Sequence, residues 1–158
     1  MMEIELNEIC SKIADIDHKM PKAVDSGVPF LSAKDVSAFG TLNFDKIKYI
    51  SDEDFLRLSR KICPTIGDII YTRIGTIGRC AVVREDKRFL VSYSCCVIRP
   101  KTSDVDTNYL SYYLSSEYAL SQATHGVKGI GVPDLGMKQI KGFKIPLPPL
   151  PNVINLSI

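Results

Sequence analysis

The run IIYTRIGTIGRCAVV, residues 69–83, decides the fold class of this chain. Its two ends are apolar and β-branched, the composition of a strand packed in a sheet. Its middle holds Tyr71, Thr72, Arg73, Gly75, Thr76, Gly78 and Arg79. With strand-like sequence on both sides, Gly75 and Gly78 read as turn-formers that supply positive φ in a hairpin. A phosphate cradle is the alternative, and its partners are missing. A P-loop needs G-K-[S/T] at a helix start, a dinucleotide loop needs G-x-G-x-x-G opening a helix, and a G-x-x-G clamp on nucleic-acid backbone lies between helices. The turn is expected to hold its neighbouring side chains outward, Arg73 first.

Working outward, GDIIYTRI, GRCAVV and RFLVSYSCCVIRP make the central third β, with REDK at 84–87 as a hairpin turn. Upstream, LNEICSKIADI has a helix-like stagger (Leu6, Ile9, Cys10, Ile13) that also suits a strand, and VPFL, Val28 to Leu31, is a short buried strand. Ser51 is an N-cap, followed by Asp52, Glu53 and Asp54 in the first turn, where the helix dipole favours acids. Phe55, Leu58 and Ile62 then recur at helical spacing up to Pro64. A second helix is expected over about 107–124, capped by Asp106 or Thr107, with Gly126 beyond its end. A short helical turn after Asp134 and a final strand in GFKIPLPPLP close the chain. The pattern predicts an α+β fold: a twisted, mostly antiparallel or barrel-like sheet with flanking helices.

The bulk numbers narrow the function classes. At 158 residues the chain is large enough to bury its own core, and 45% apolar with 24% charged residues is an ordinary globular composition. No apolar run approaches the ~18 residues of a membrane span. The opening MMEIELNEIC has no basic region of the signal-peptide type, so a cytoplasmic protein is expected. The formal charge of +2 excludes a strongly basic binder but leaves room for a local basic face. Cys10, Cys63, Cys80, Cys95 and Cys96 are scattered and read as reduced, mostly buried thiols. In a strand, adjacent Cys95 and Cys96 point to opposite faces. His18 and His125 lie near no cysteine pair, so no metal is expected.

Enzyme signatures fail one by one. EDK, Glu85 to Lys87, matches half of a metal-dependent nuclease motif, and Asp68 is its nearest acidic partner; hairpin-turn charges account for it better. No cofactor loop and no Asn/Asp-Pro-Pro-aromatic stretch supports methyl transfer. Ser92, Ser94 and the neighbouring thiols sit in no nucleophile elbow. The run THGVKGIGVPD, residues 124–134, places His125 and Lys128 in a glycine-rich loop, suited either to phosphate and base contact or to plain connection.

In order, GVPFLSAKDV, YISDEDFLRLSRK, GDIIYTRIGTIGRCAVV, FLVSYSCCVIRP, NYLSYYLSS and IPLPPL resemble a target recognition domain of the type I restriction–modification specificity subunit. The resemblance covers roughly residues 6–150, and its most specific parts are GDI with the following R-x-G-T-x-G, and PLPPL. It implies a DNA-specificity domain over 1–150 that binds double-stranded DNA without catalysis or cofactor. It also implies separate modification (methyltransferase) and restriction subunits as partners. Arg and Lys fork onto guanine, Asn and Gln onto adenine, and other cations neutralise phosphate. On that basis the candidate DNA contacts are Tyr71, Thr72, Arg73, Arg79, His125 and Lys128, with Lys34 and Tyr93 added. The family runs from PLPPL into a spacer helix, whereas here PNVINLSI at 151–158 forms a short tail. That departure leaves open a truncated gene, a recombination cassette acting mainly in protein assembly, and a stand-alone domain that pairs as a homodimer; a small metal-dependent nuclease built on Asp68 and Glu85 is the separate enzymatic alternative.

Overall fold

The computed structural model describes residues 2–126 and 131–148. Their fold is α+β, as expected, with three open sheets and no closed barrel. The central sheet has the order β2-β8-β5-β6, formed by β2 (Cys10–Ala14), β8 (Cys95–Pro100), β5 (Ile69–Thr72) and β6 (Cys80–Val82), all antiparallel. A second sheet joins β4 (Lys48–Ile50), β3 (Val28–Leu31) and β7 (Leu90–Val91), with β3 and β7 parallel. The third pairs β1 (Met2–Glu5) with β9 (Lys144–Leu147). Four helices complete the described fold: α1 (Asp52–Leu58), α2 (Thr107–Leu114), α3 (Glu117–Gly126) and α4 (Met137–Lys141).

The central sheet is buried on both faces, and the two-residue side-chain period of its strands divides the core in two. Ile70, Cys95 and Val97 face Phe30, Leu31 and Leu90 of the second sheet. Ile69, Tyr71, Cys96 and Ile98 face Leu110, Leu114, Ile140 and Phe143 on the helical side. Cys95 and Cys96 therefore lie in separate cores, as their adjacency in a strand requires. All five thiols are free, and burial pushes those of Cys10, Cys80 and Cys95 up to about 12.

Local signals match the chain in several places. Ser51 Oγ accepts from Asp54 N at 3.1 Å and starts α1; Asp106 Oδ1 accepts from Tyr109 N at 2.9 Å and starts α2. Three expectations are corrected. The single helix over 107–124 is two, because Ser116 Oγ turns back onto the Tyr113 carbonyl and accepts from Ala119 N, capping a new start. The run FLVSYSCCV is two strands, since Ser92 Oγ accepts from Ser94 N and folds a tight turn between β7 and β8. REDK is no hairpin: β6 pairs with β5 and β7 with β3, so 84–87 carries the chain between sheets. The stagger at Leu6 resolves into a 3-10 turn, Leu6–Ile9, running into β2.

In a thiol-labelling experiment on the native protein, half-buried Cys63 reacts first. Cys10, Cys80, Cys95 and Cys96 react only after denaturation, because the thiolate is the nucleophile and burial disfavours it.

Candidate nucleic-acid interface

The strand register brings one end of every central strand to a common rim. Ala14 at the end of β2 lies opposite Val97, Thr72 at the end of β5 opposite Cys95, and Cys80 at the start of β6 opposite Tyr71. Leu31 at the end of β3 pairs with Val91, the last residue of β7. Four connections therefore meet there: residues 15–18, 32–36, 73–79 and 92–94. A fifth joins them through an Ile74–Asp134 bridge and Gly75 N donating to Pro133 O at 2.9 Å.

The β5–β6 turn is built as its sequence implies. Gly75 and Gly78 have φ of 79° and 91°, the left-handed region in which a side chain is strained. Thr72 closes the turn: its hydroxyl accepts from Arg79 N at 2.9 Å, its amide donates to Arg79 O, and its carbonyl accepts from Gly78 N.

Three residues expected to point outward point inward. Tyr71 and Thr72 are fully buried, and Arg73 is 3% exposed. The reason is the sandwiched sheet, which leaves β5 no solvent face. Tyr71 packs edge-on against Phe143, burial raises its phenol pKa well above the ordinary range, and its hydroxyl has no partner among the described residues. Arg73 is held by charge instead. Its Nη2 donates to Asp15 Oδ2 at 2.7 Å, and its Nη1 donates to Leu135 O at 3.1 Å and Asp134 Oδ1 at 3.3 Å. Its amide donates to Ser94 O, and its carbonyl accepts from Leu135 N. One side chain and its peptide thus tie four of the five segments together.

Of the groups that do reach solvent, Lys34, Arg79 and Tyr93 come from the same rim and His125 from α3. Lys34 is exposed on the 3-10 turn Ala33–Asp35, whose first amide donates to Ser94 Oγ at 3.0 Å. Arg79 is half-buried, with Nη1 donating to Val36 O at 3.2 Å. Tyr93 is half-buried and stacks on His18, ring centroids 4.4 Å apart and 20° between planes. His125 is exposed in the last turn of α3, beside the Ser121 carbonyl at 2.7 Å. Lys128 lies outside the described residues.

His18 and Asp15 were not among the candidates, because a lone histidine in a polar run carries no signal of its own. The structure makes them a unit. Asp15 Oδ2 sits 2.9 Å from His18 Nε2, and Oδ1 accepts from Lys61 Nζ at 3.3 Å. Burial alone would raise the Asp15 pKa, but the His18 hydrogen bond and the Arg73 and Lys61 charges together hold it below the usual carboxylate range. Three of the acids near the rim are thus engaged, Asp15 and Asp134 on Arg73 and Asp35 on Ser32 N at 2.9 Å, while Asp17 is exposed. The other acid weighed for chemistry, Asp68, accepts from Arg99 on both oxygens at 2.9 Å and from Thr65 N at 2.8 Å, while Glu85 is exposed on the inter-sheet connection. Among the described residues no group of three His, Cys, Asp or Glu could hold a metal ion, and no helix is long and apolar enough to cross a membrane.

Residues 1–155 match the model of the type I restriction modification DNA specificity domain. The chain belongs to that family. It is 26% identical over 125 residues to the type I restriction enzyme EcoBI specificity subunit of Escherichia coli, across 79% of this chain and 26% of that subunit. Its fold is similar to the crystal structure of the HsdS subunit from Thermoanaerobacter tengcongensis, with TM-score 0.69, 19% identity and coverage of 98% of this chain and 39% of the other. It is also similar to the S subunit of the type I restriction-modification system from M. genitalium, with TM-score 0.58 and 12% identity over 90% of this chain and 33% of the other. The chain therefore spans between about a quarter and two fifths of these specificity proteins. The GDI and R-x-G-T-x-G segments of the resemblance fall on Asp68, Arg73, Gly75 and Gly78, which in this structure are scaffold.

A carboxylate held below its unfolded pKa adds stability that is complete above the unfolded value and is lost as pH falls through the folded one. In a urea series, Asp15→Asn accordingly shows a shallower loss of stability than the wild type as pH falls below about 4. At neutral pH it is less stable by about 3 kcal/mol, since Arg73 loses its shortest charge partner.

Proposed function

We propose that this chain is a non-catalytic reader of a short stretch of duplex DNA, the specificity component of a type I restriction–modification system. Membership of the family supports the class. The single observation that carries the reading is the rim: separate loops on a doubly buried sheet converge to present Lys34, Arg79 and Tyr93, while Asp15, Asp35 and Asp134 are bonded into the platform. Loops on a rigid sheet place polar groups accurately, as base readout requires.

In this reading the roles divide by exposure. Lys34 and Arg79 meet phosphate or a guanine edge, Tyr93 offers a ring face and a hydroxyl, and His125 with Lys128 forms the flanking contact. Tyr71, Thr72 and Arg73 act from beneath, setting the turn rather than touching bases. Methyl transfer and cleavage belong to separate modification and restriction subunits, on which this chain confers the choice of site. Pairing of two copies about a twofold axis would bring two reading faces onto one duplex. A cytoplasmic location accords with a ligand of that kind.

A salt titration with random-sequence duplex gives binding that weakens steeply with ionic strength. Lys34→Ala and Arg79→Ala each reduce the log–log salt slope by about 1, and Leu56→Ala, on exposed α1, leaves it unchanged. Selection from a random duplex pool enriches one short site. An unenriched pool and no binding at low salt overturn the reading.

A further inference from the structure

The rim holds one outward hydrogen-bonding group whose protonation geometry is set from within. Building on the DNA-reading function, we propose that His18 is a base-reading residue, its Nδ1 accepting a hydrogen bond from the exocyclic amine of adenine or cytosine, and that Asp15 and Arg73 are its positioning residues.

The argument runs from the buried charge outward. A buried guanidinium beside a carboxylate is a costly arrangement that gains little over a packed apolar pair, so its retention is weak evidence for stability alone. Here the cluster reaches solvent through a stacked aromatic ring, His18, whose side chain is 63% exposed against 8% for Asp15 and 4% for Arg73, as well as through the Lys61 and Asp134 side chains. Asp15 Oδ2 takes two neighbours, Arg73 Nη2 at 2.7 Å and His18 Nε2 at 2.9 Å. The two nitrogens are themselves 3.4 Å apart. A guanidinium only donates, and an ionised carboxylate only accepts. Nε2 facing that carboxylate is therefore a donor carrying its proton, and the 3.4 Å contact is between two donors that share an acceptor.

That choice determines the other ring nitrogen. With Nε2 protonated, the neutral imidazole has its lone pair on Nδ1, for which no hydrogen bond is formed among the described residues. Tyr93, stacked at 4.4 Å, removes the ring's remaining freedom to rotate. Tyr93 follows Ser92, whose hydroxyl bonds Ser94, and Ser94 O accepts from Arg73 N, so both rings hang from the one guanidinium-bearing residue. Lys61 on Asp15, Asp134 on Arg73, and Asp17 and Lys19 flanking His18 in the chain are the other charges of this neighbourhood. The result is an acceptor of fixed direction on the rim that also carries the cationic Lys34 and Arg79, which are donors. In the major groove only the amines of adenine N6 and cytosine N4 donate to such an acceptor, while guanine and thymine present acceptors.

Two measurements on the full chain test this. Long-range 1H–15N spectra resolve the two histidines of the chain. The wild type shows His18 with the proton on Nε2, and Asp15→Asn or Arg73→Lys converts it to a mixture of tautomers. His125, whose Nδ1 faces the Ser121 carbonyl, keeps its own form and serves as the internal control. Selection from a random duplex pool at about pH 8, where imidazole is normally neutral, is then run with the wild type, His18→Ala and His18→Asn. One position that demands adenine or cytosine in the wild type loses that preference about three- to tenfold in His18→Ala, with the other positions retained, and His18→Asn restores part of it. A pool unchanged by His18→Ala overturns the inference and leaves DNA reading intact. Preference for guanine or thymine at that position, or equal loss at all positions, overturns the acceptor role. A wild type that enriches nothing overturns both this inference and the function beneath it.

Discussion

The Arg73 guanidinium is the constraint on which the working end of the molecule depends. It sits at the exit of β5, in a sheet with no solvent face, where a charge survives only with compensating acceptors. Asp15 arrives from the end of β2, Asp134 and the Leu135 carbonyl from the segment before α4, and the Ser94 carbonyl from the β7–β8 turn takes the Arg73 amide. These segments are distant in sequence. Bonding one guanidinium and its peptide therefore ties four of the rim's five segments together, and Ser94 Oγ brings in the fifth by accepting from Ala33 N.

That arrangement separates two tasks within one motif. The arginine and glycines of R-x-G-T-x-G make the platform: the arginine gathers loops, and Gly75 and Gly78 reverse the chain at positive φ. The exposed groups around them, Lys34, Arg79 and Tyr93, are the ones left to meet solvent. Asp68 follows the same logic one strand-length earlier, holding Arg99 and the Thr65 amide to anchor the entry of β5. Asp68, weighed for chemistry, is structural, and the histidine that looked least like chemistry lies at the solvent-facing edge of the charged cluster.

Legibility in the sequence followed the range of the forces involved. Helix caps are local, a side chain bonding an amide three residues on, and Ser51 and Asp106 were readable as such. The turn glycines were readable for the same reason, as were the opposite-facing cysteines Cys95 and Cys96. Strand partnership was not: REDK has the composition of a hairpin turn, and only the pairing of β7 with β3 shows that it links sheets. The inward direction of Tyr71, Thr72 and Arg73 was hidden too, because their burial depends on what covers each face of β5. His18 carried no signal at all, since its partner Asp15 gains meaning only through Arg73, 58 residues away.

The sequence by itself determined the class of the fold, the order of its main elements and the family resemblance, because period, capping and turn chemistry act over a few neighbouring residues. The tertiary structure alone decided which of the candidate side chains reach solvent and which support them from beneath. A buried charge takes its partners from wherever the chain brings acceptors within about 3 Å, and no spacing along the chain encodes that meeting.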